Sequence, residues 1–198
     1  MKPALLLPAV VGVCLAGVVA SCSSTDVPLA TLPSGDDGSA PPPPPRCASI
    51  VDCPPGTYCD KTTCGDPSGT CLVAPTECDS SEKPVCGCDG ITYFNHCLRQ
   101  EYSIESETPD PCRTPSCGGP SGVTCAAGQL CALLGGMGPT HCSPMADGTC
   151  WVLPPQCPPA NEATNFWDSC PPSVQHCVPT CDAIRDGGAY VPSLMMCP

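Results

Sequence analysis

The apolar positions of this chain form one long block, and after it they thin out sharply. Ala4 to Ala20 is a 17-residue apolar run that follows Lys2 and ends in small residues. A basic start, an apolar stretch and a small-residue end are the marks of a targeting segment. A membrane-spanning helix needs about 20 apolar residues, and this run is interrupted by Pro8 and lacks a basic flank, so cleavage is expected. From Ser23 to Arg46 the pattern is Ser, Thr, Gly, Asp and Pro, closing on Pro41 to Pro45. Such a segment predicts a semi-rigid polyproline II spacer of ~3 Å per residue rather than a packed element. Further on, Val85 and the run Ile91 to Phe94 flank Asp89-Gly90, which predicts two short strands joined by a hairpin turn. Asn95 predicts an N-cap for a helix running through Leu98 to Tyr102.

Composition explains why these elements are so short. The 198 residues include 22 Cys, 29 Pro and 19 Gly, but only two Trp, four Tyr and two Phe. A chain this poor in large apolar side chains must be held by covalent cross-links. Cysteine at about a tenth of the residues marks a disulfide scaffold, and disulfides in that number persist outside the reducing cytosol. The formal charge is −12, and the seven Lys and Arg are scattered. Nucleic acid is therefore not an expected partner, because phosphate contacts need clustered positive charge. The acidity reads as solubility.

Val19-Ala20-Ser21-Cys22 resembles the lipobox of bacterial lipoproteins. That resemblance implies cleavage before Cys22, lipidation of its sulfur and a membrane partner reached through a lipid anchor. Counting agrees with it. Cleavage removes Cys14, and setting Cys22 aside leaves 20 cysteines that can pair completely. Two or more acyl chains suffice for stable anchoring. Ser23, in place of Asp, points to the outer membrane or cell surface.

The 20 remaining cysteines divide into ten between Cys47 and Cys112 and ten between Cys117 and Cys197. Cys53-Pro-Pro-Gly-Thr-Tyr-Cys59 matches Cys125-Ala-Ala-Gly-Gln-Leu-Cys131 in spacing and central glycine. Gly69-Thr70-Cys71-Leu72-Val73 matches Gly148-Thr149-Cys150-Trp151-Val152. These blocks indicate an internal duplication with its junction at Arg113 to Ser116. The expected organisation is a signal peptide over 1–21, a lipidated linker over 22–46, a cysteine-rich half over 47–112 and a degenerate repeat over 113–198. Zinc is the rival use of dense cysteines, but the short spacings Cys86-Gly87-Cys88 and Cys177 to Cys181 are not matched metal knuckles. His96, His141 and His176 each precede a cysteine consumed by oxidation, so neither a metal nor another cofactor is expected.

The stretch Cys78 to Cys97, with Pro84-Val85-Cys86-Gly87, Asp89-Gly90 and Thr92-Tyr93 at their spacings, resembles the Kazal family of serine protease inhibitors. The resemblance covers Cys71 to Cys112. It implies a small α+β module, one short three-stranded sheet on one helix, inside an otherwise mostly irregular disulfide-rich fold. It also implies disulfides Cys78–Cys97 and Cys86–Cys112, and a loop whose second residue after Cys78, Ser80, enters a protease pocket. Asp79 and Ser81 flank this anchor, Ser80-Ser81 is the bond at risk, and Asn95 braces the loop. Two departures stand out. Gln100 replaces a family cysteine and Cys88 is an extra one, so the disulfide starting at Cys71 must be rerouted, with Cys88 the partner at hand. Ser80 is also small, which directs the expectation toward elastase-like or subtilisin-like proteases.

In the second half the stretch Cys170 to Cys177 replaces the Asp-Gly turn and the Tyr strand, so this half reads as a structural relative without an inhibitory loop. Its aromatic cluster, Asn165-Phe166-Trp167, is expected to form a small core. No nucleophile–base pair or open metal site is recognisable, so an enzyme is not expected. Two functions stay open: inhibition of a serine-type endopeptidase, and a non-inhibitory, disulfide-stapled module for surface binding, adhesion or envelope structure.

Overall fold

A computed structural model describes residues 42–120, 122–135, 142–143, 145–161, 163–170, 176–194 and 197. The apolar run, Cys22 and the spacer up to Pro41 lie outside the described residues, as does His141. Among the described residues no helix is long and apolar enough to cross a membrane. Residues from Pro42 to Pro198 belong to one compact unit.

Each half builds the same two sets of three strands; the first set stands as a sheet of its own, and the other three join into one sheet of nine strands. In the first half, β1 (Arg46–Cys47), β2 (Thr57–Asp60) and β3 (Gly69–Val73) pair in the order β1-β3-β2. β4 (Val85–Gly87), β5 (Thr92–Tyr93) and β6 (Glu107–Pro109) then pair around β4, with α1 (His96–Glu101) between β5 and β6. In the second half, β7 (Cys117–Gly118), β8 (Leu130–Leu134) and β9 (Asp147–Val152) again place the third strand between the other two. β10 (Phe166–Ser169), β11 (Val178–Pro179) and β12 (Ala189–Pro192) pair around β10, with α2 (Thr180–Asp186) between β11 and β12. The three-stranded sheet with one helix and the cystine-built frame are thus present as expected.

The shared glycines have physical reasons. Gly56 and Gly128, central in the matched Cys-x5-Cys blocks, adopt φ of +80° and +83°, a region that L side chains rarely visit. At Gly148 a β-carbon would stand 2.6 Å from the Ala132 carbonyl oxygen, and at its counterpart Gly69 it would run into the Asp60 carbonyl. Both positions lie where two strands approach too closely for a side chain.

Ten disulfides hold this frame. The first half pairs Cys47–Cys59, Cys53–Cys71, Cys64–Cys88, Cys78–Cys97 and Cys86–Cys112. Cys71 therefore does not bond Cys88. It sits in β3 opposite Cys59 of β2, and strand pairing buries it in a cluster with Cys47, Cys59 and Cys53. Cys88 instead takes Cys64 from the connection between β2 and β3.

The second half pairs Cys117–Cys131, Cys125–Cys150, Cys142–Cys170, Cys157–Cys181 and Cys177–Cys197. The pattern repeats the first with one exchange. Cys86 leaves the first strand of its hairpin to reach the last cysteine. Cys177 does so from the start of the second strand, its N–H donating to Asp168 across the hairpin at 3.1 Å.

The halves are not separate bodies. β5 lies parallel to β9, with Thr92 beside Trp151 and Tyr93 beside Val152, and the Phe94 N–H donates to the Val152 carbonyl at 3.0 Å. Val85, Tyr93, Phe94 and Leu98 form one core cluster with Ala132, Trp151, Val152 and Ile184. The aromatic positions decide this joining. Trp151 and Val152 are 3% and 0% exposed, while their first-half counterparts Leu72 and Val73, paired on one side with Tyr58 and Thr57 and beyond the reach of β1 on the other, are 38% and 79% exposed. The core of the second half is also arranged differently from expectation. Tyr190 and Val178 are buried and Trp167 packs beside them half-buried, whereas Phe166 lies outside the clusters and Asn165 is exposed.

Candidate functional site

The loop from Cys78 to Pro84 is stapled at its start by Cys78–Cys97, which ties it to the second residue of α1. At its end, Val85 and Cys86 pair with Tyr93 and Thr92. The Asp89-Gly90 turn is tightened by Asp89, whose carboxylate accepts from the Ile91 N–H at 3.1 Å and the Tyr93 hydroxyl at 2.8 Å. Burial first, and then this bond to Asp89, push the Tyr93 phenol well above its ordinary pKa. Tyr93 is thus a neutral donor at any physiological pH.

Asn95 joins helix to loop. Its Oδ1 accepts from the Leu98 N–H at 2.9 Å, which caps α1. Its Nδ2 donates to the Asp79 carbonyl at 2.9 Å and the Ser81 carbonyl at 3.2 Å, with the Asp79 carboxylate 3.3 Å away. The two carbonyls flank Ser80, so one buried side chain, 3% exposed, holds the backbone on either side of an exposed residue. A second brace is local. The Asp79 carboxylate accepts from the Ser81 hydroxyl at 2.7 Å and the Ser81 N–H at 3.1 Å. These bonds, the hydroxyl first, hold the Asp79 carboxyl below its usual range. Further along, the Lys83 N–H donates to the Phe94 carbonyl at 3.1 Å. The structure therefore brings Asp79, Ser81 and Asn95 together and leaves Ser80 outward.

Three contacts of this region were not anticipated from the sequence. Glu82 faces the second half, accepting from Asn165 and Thr180. Arg99, 1% exposed, pairs with Glu107 at 2.9 Å, donates to the Ile104 carbonyl at 2.5 Å and lies over the Tyr58 ring. Gln100 donates to the Tyr58 hydroxyl at 2.7 Å. Only the missing cysteine at position 100 hinted that something else must tie the helix down.

Dense sulfur raises the question of a metal. Cys47, Cys53 and Cys71 bring their sulfurs within 4.8 Å of one another, as do Cys117, Cys125 and Cys150. All six are in disulfides, and a metal takes the thiolate, not a disulfide sulfur.

The family model of the Kazal-type serine protease inhibitor domain matches residues 73–117. The chain carries a Kazal-type domain, built from the loop, the β4–β5–β6 sheet and α1. Such domains inhibit proteases rather than catalyse a reaction. The chain is also similar to mouse zonadhesin, 25% identical over 211 residues that cover 83% of this chain and 4% of that protein. It thus spans a small fraction of that relative's length. No solved structure matches it.

Proposed function

We propose that the protein is an extracytoplasmic inhibitor of a serine-type endopeptidase, with Ser80 as the anchor that enters the protease pocket and Ser80-Ser81 as the bond presented to it. The observation that carries this reading is the Asn95 side chain bonded to both carbonyls that flank Ser80. A substrate-like loop inhibits when it is ordered before binding, because the entropy of ordering is then not charged to the complex. Cys78–Cys97, Asn95 and Asp79 together supply that order. Ser80 offers little apolar area for a deep pocket, so the partner class is an elastase-like or subtilisin-like enzyme. Anchoring to a membrane through a lipidated Cys22 belongs to the same reading, with residues 22–46 as the spacer and 47–198 presented outside the cell.

Replacing the anchor tests this. Ser80→Leu is expected to move inhibition toward enzymes with a large apolar pocket and away from those with a small one. Unchanged specificity would remove Ser80 from the anchor role.

A second reading, a surface module for adhesion that does not inhibit, draws on the similarity to zonadhesin across both halves. Ser80→Leu would then alter no protease, and binding would reside elsewhere on the surface.

A further inference from the structure

The residue after Ser81 does not face outward with the rest of the loop. The Glu82 carboxylate accepts from the Asn165 Nδ2 at 2.9 Å and from the Thr180 hydroxyl at 2.7 Å. Both donors belong to the second half, 83 and 98 residues further along the chain. They are themselves well fixed. Asn165 immediately precedes β10, and the Thr180 N–H donates to the Asn165 carbonyl at 3.1 Å. Thr180 is 2% exposed, its hydroxyl accepts from the Trp167 indole N–H at 3.0 Å, and the adjacent Cys181 is bonded to Cys157. The Thr180 hydroxyl has one proton, with Glu82 at 2.7 Å and the Asn165 carbonyl at 3.2 Å as competing acceptors. The charged, nearer acceptor wins.

We infer that the second half is a positioning element for the loop: Thr180 and Asn165, through Glu82, hold the segment that follows the Ser80-Ser81 bond. This deepens the inhibitory reading and rests on it. Asn95 fixes the backbone around Ser80 from the first half, and the second half fixes the side that a protease would release first after cutting. A cut loop whose leaving strand stays tethered remains in the cleft instead of diffusing away. The second half has no Asp-Gly pair between Cys170 and Cys177, and near the corresponding hairpin and at the helix start it presents Asn165 and Thr180 to its neighbour.

The test uses the full oxidised protein and four variants: Glu82→Ala, Asn165→Ala, Thr180→Val and Thr180→Ser. Two quantities are read: amide hydrogen exchange at Ser81 and Lys83 in the free protein, and the rate at which a subtilisin-type protease cuts Ser80-Ser81. Glu82→Ala and Thr180→Val are expected to raise both by about tenfold, the scale of one lost charge-assisted hydrogen bond. Thr180→Ser keeps the hydroxyl and is expected to match the wild type, which a purely packing role for the Thr180 methyl would not allow. Glu82 is half-buried and Asn165 exposed, so their variants retain the fold even if Thr180→Val does not. Exchange unchanged in Glu82→Ala and Asn165→Ala would overturn the inference. Exchange raised in a protein that inhibits nothing would keep the brace and remove the inhibitory reading.

Discussion

The Gln100 side-chain amide donates to the Tyr58 hydroxyl at 2.7 Å, 42 residues away, at the position where related modules carry a cysteine. One polar contact between α1 and β2 therefore occupies the place of a covalent tie. Its neighbour Arg99 adds the contacts to Glu107, Asp60 and the Tyr58 ring. The expected cost of Gln100→Ala is about 1 kcal/mol. Tyr58→Phe should cost about as much, and the double variant less than the sum, because both remove the same bond. Thermal unfolding of the four proteins measures this. Additive losses would mean that the contact contributes nothing of its own.

Arg99 is a larger commitment. Its guanidinium is buried against Glu107 and a backbone carbonyl, and Arg99→Met leaves those acceptors without their donor. A loss of about 3 kcal/mol is expected, read as a fall in denaturant midpoint at unchanged slope.

The roles of Asn95 separate by substitution. Asn95→Ala removes both the helix cap, worth about 1 kcal/mol, and the brace on the loop. Asn95→Ser keeps a capping oxygen but cannot reach both loop carbonyls. Its stability is expected to stay near wild type while cleavage at Ser80-Ser81 accelerates. A Ser variant cut no faster than wild type would confine Asn95 to the helix.

Asp79 gives the loop a pH dependence. Its carboxyl is held below the usual value of 3.8, chiefly by the Ser81 hydroxyl and N–H. A group depressed in the folded state contributes order that is fully present above its unfolded pKa and lost as pH falls through the lower folded value. The Ser81 amide proton signal is therefore expected to follow a transition whose midpoint lies below pH 3.8, and to lose it in Asp79→Asn.

Much of this was legible in the sequence because turns and caps are local. Asp89-Gly90 and Asn95 announce a hairpin and a helix within a few residues of themselves, and the duplication is visible in spacing alone. Connectivity was legible only in part: Cys78–Cys97 and Cys86–Cys112 form as the resemblance implied. Cys71 and Cys88 looked available to each other, but pairing of β3 with β2 buries Cys71 against Cys53, a relation that exists only once the strands are in register. Nor did any local pattern show that Trp151 and Val152 would join the two halves, or that Glu82 would turn toward Thr180. These depend on which surfaces of two folded repeats meet.

The disulfide assignment has its own check. Mapping of peptides from the unreduced protein should recover Cys53–Cys71 and Cys64–Cys88. The Cys64–Cys88 bond closes a separation of 24 residues, so removing it by Cys64→Ser and Cys88→Ser together should cost about 3 kcal/mol. A Cys71–Cys88 peptide would contradict the arrangement of β3.

The measurement that bears most directly on function is a titration of the oxidised protein against elastase-type and subtilisin-type proteases, with the Ser80-Ser81 bond followed by mass spectrometry. The braced loop predicts tight, slowly reversible inhibition with that bond mostly intact. Absence of inhibition, or rapid cutting between Ser80 and Ser81, would contradict it and leave a disulfide-stapled surface module whose partner is not a protease.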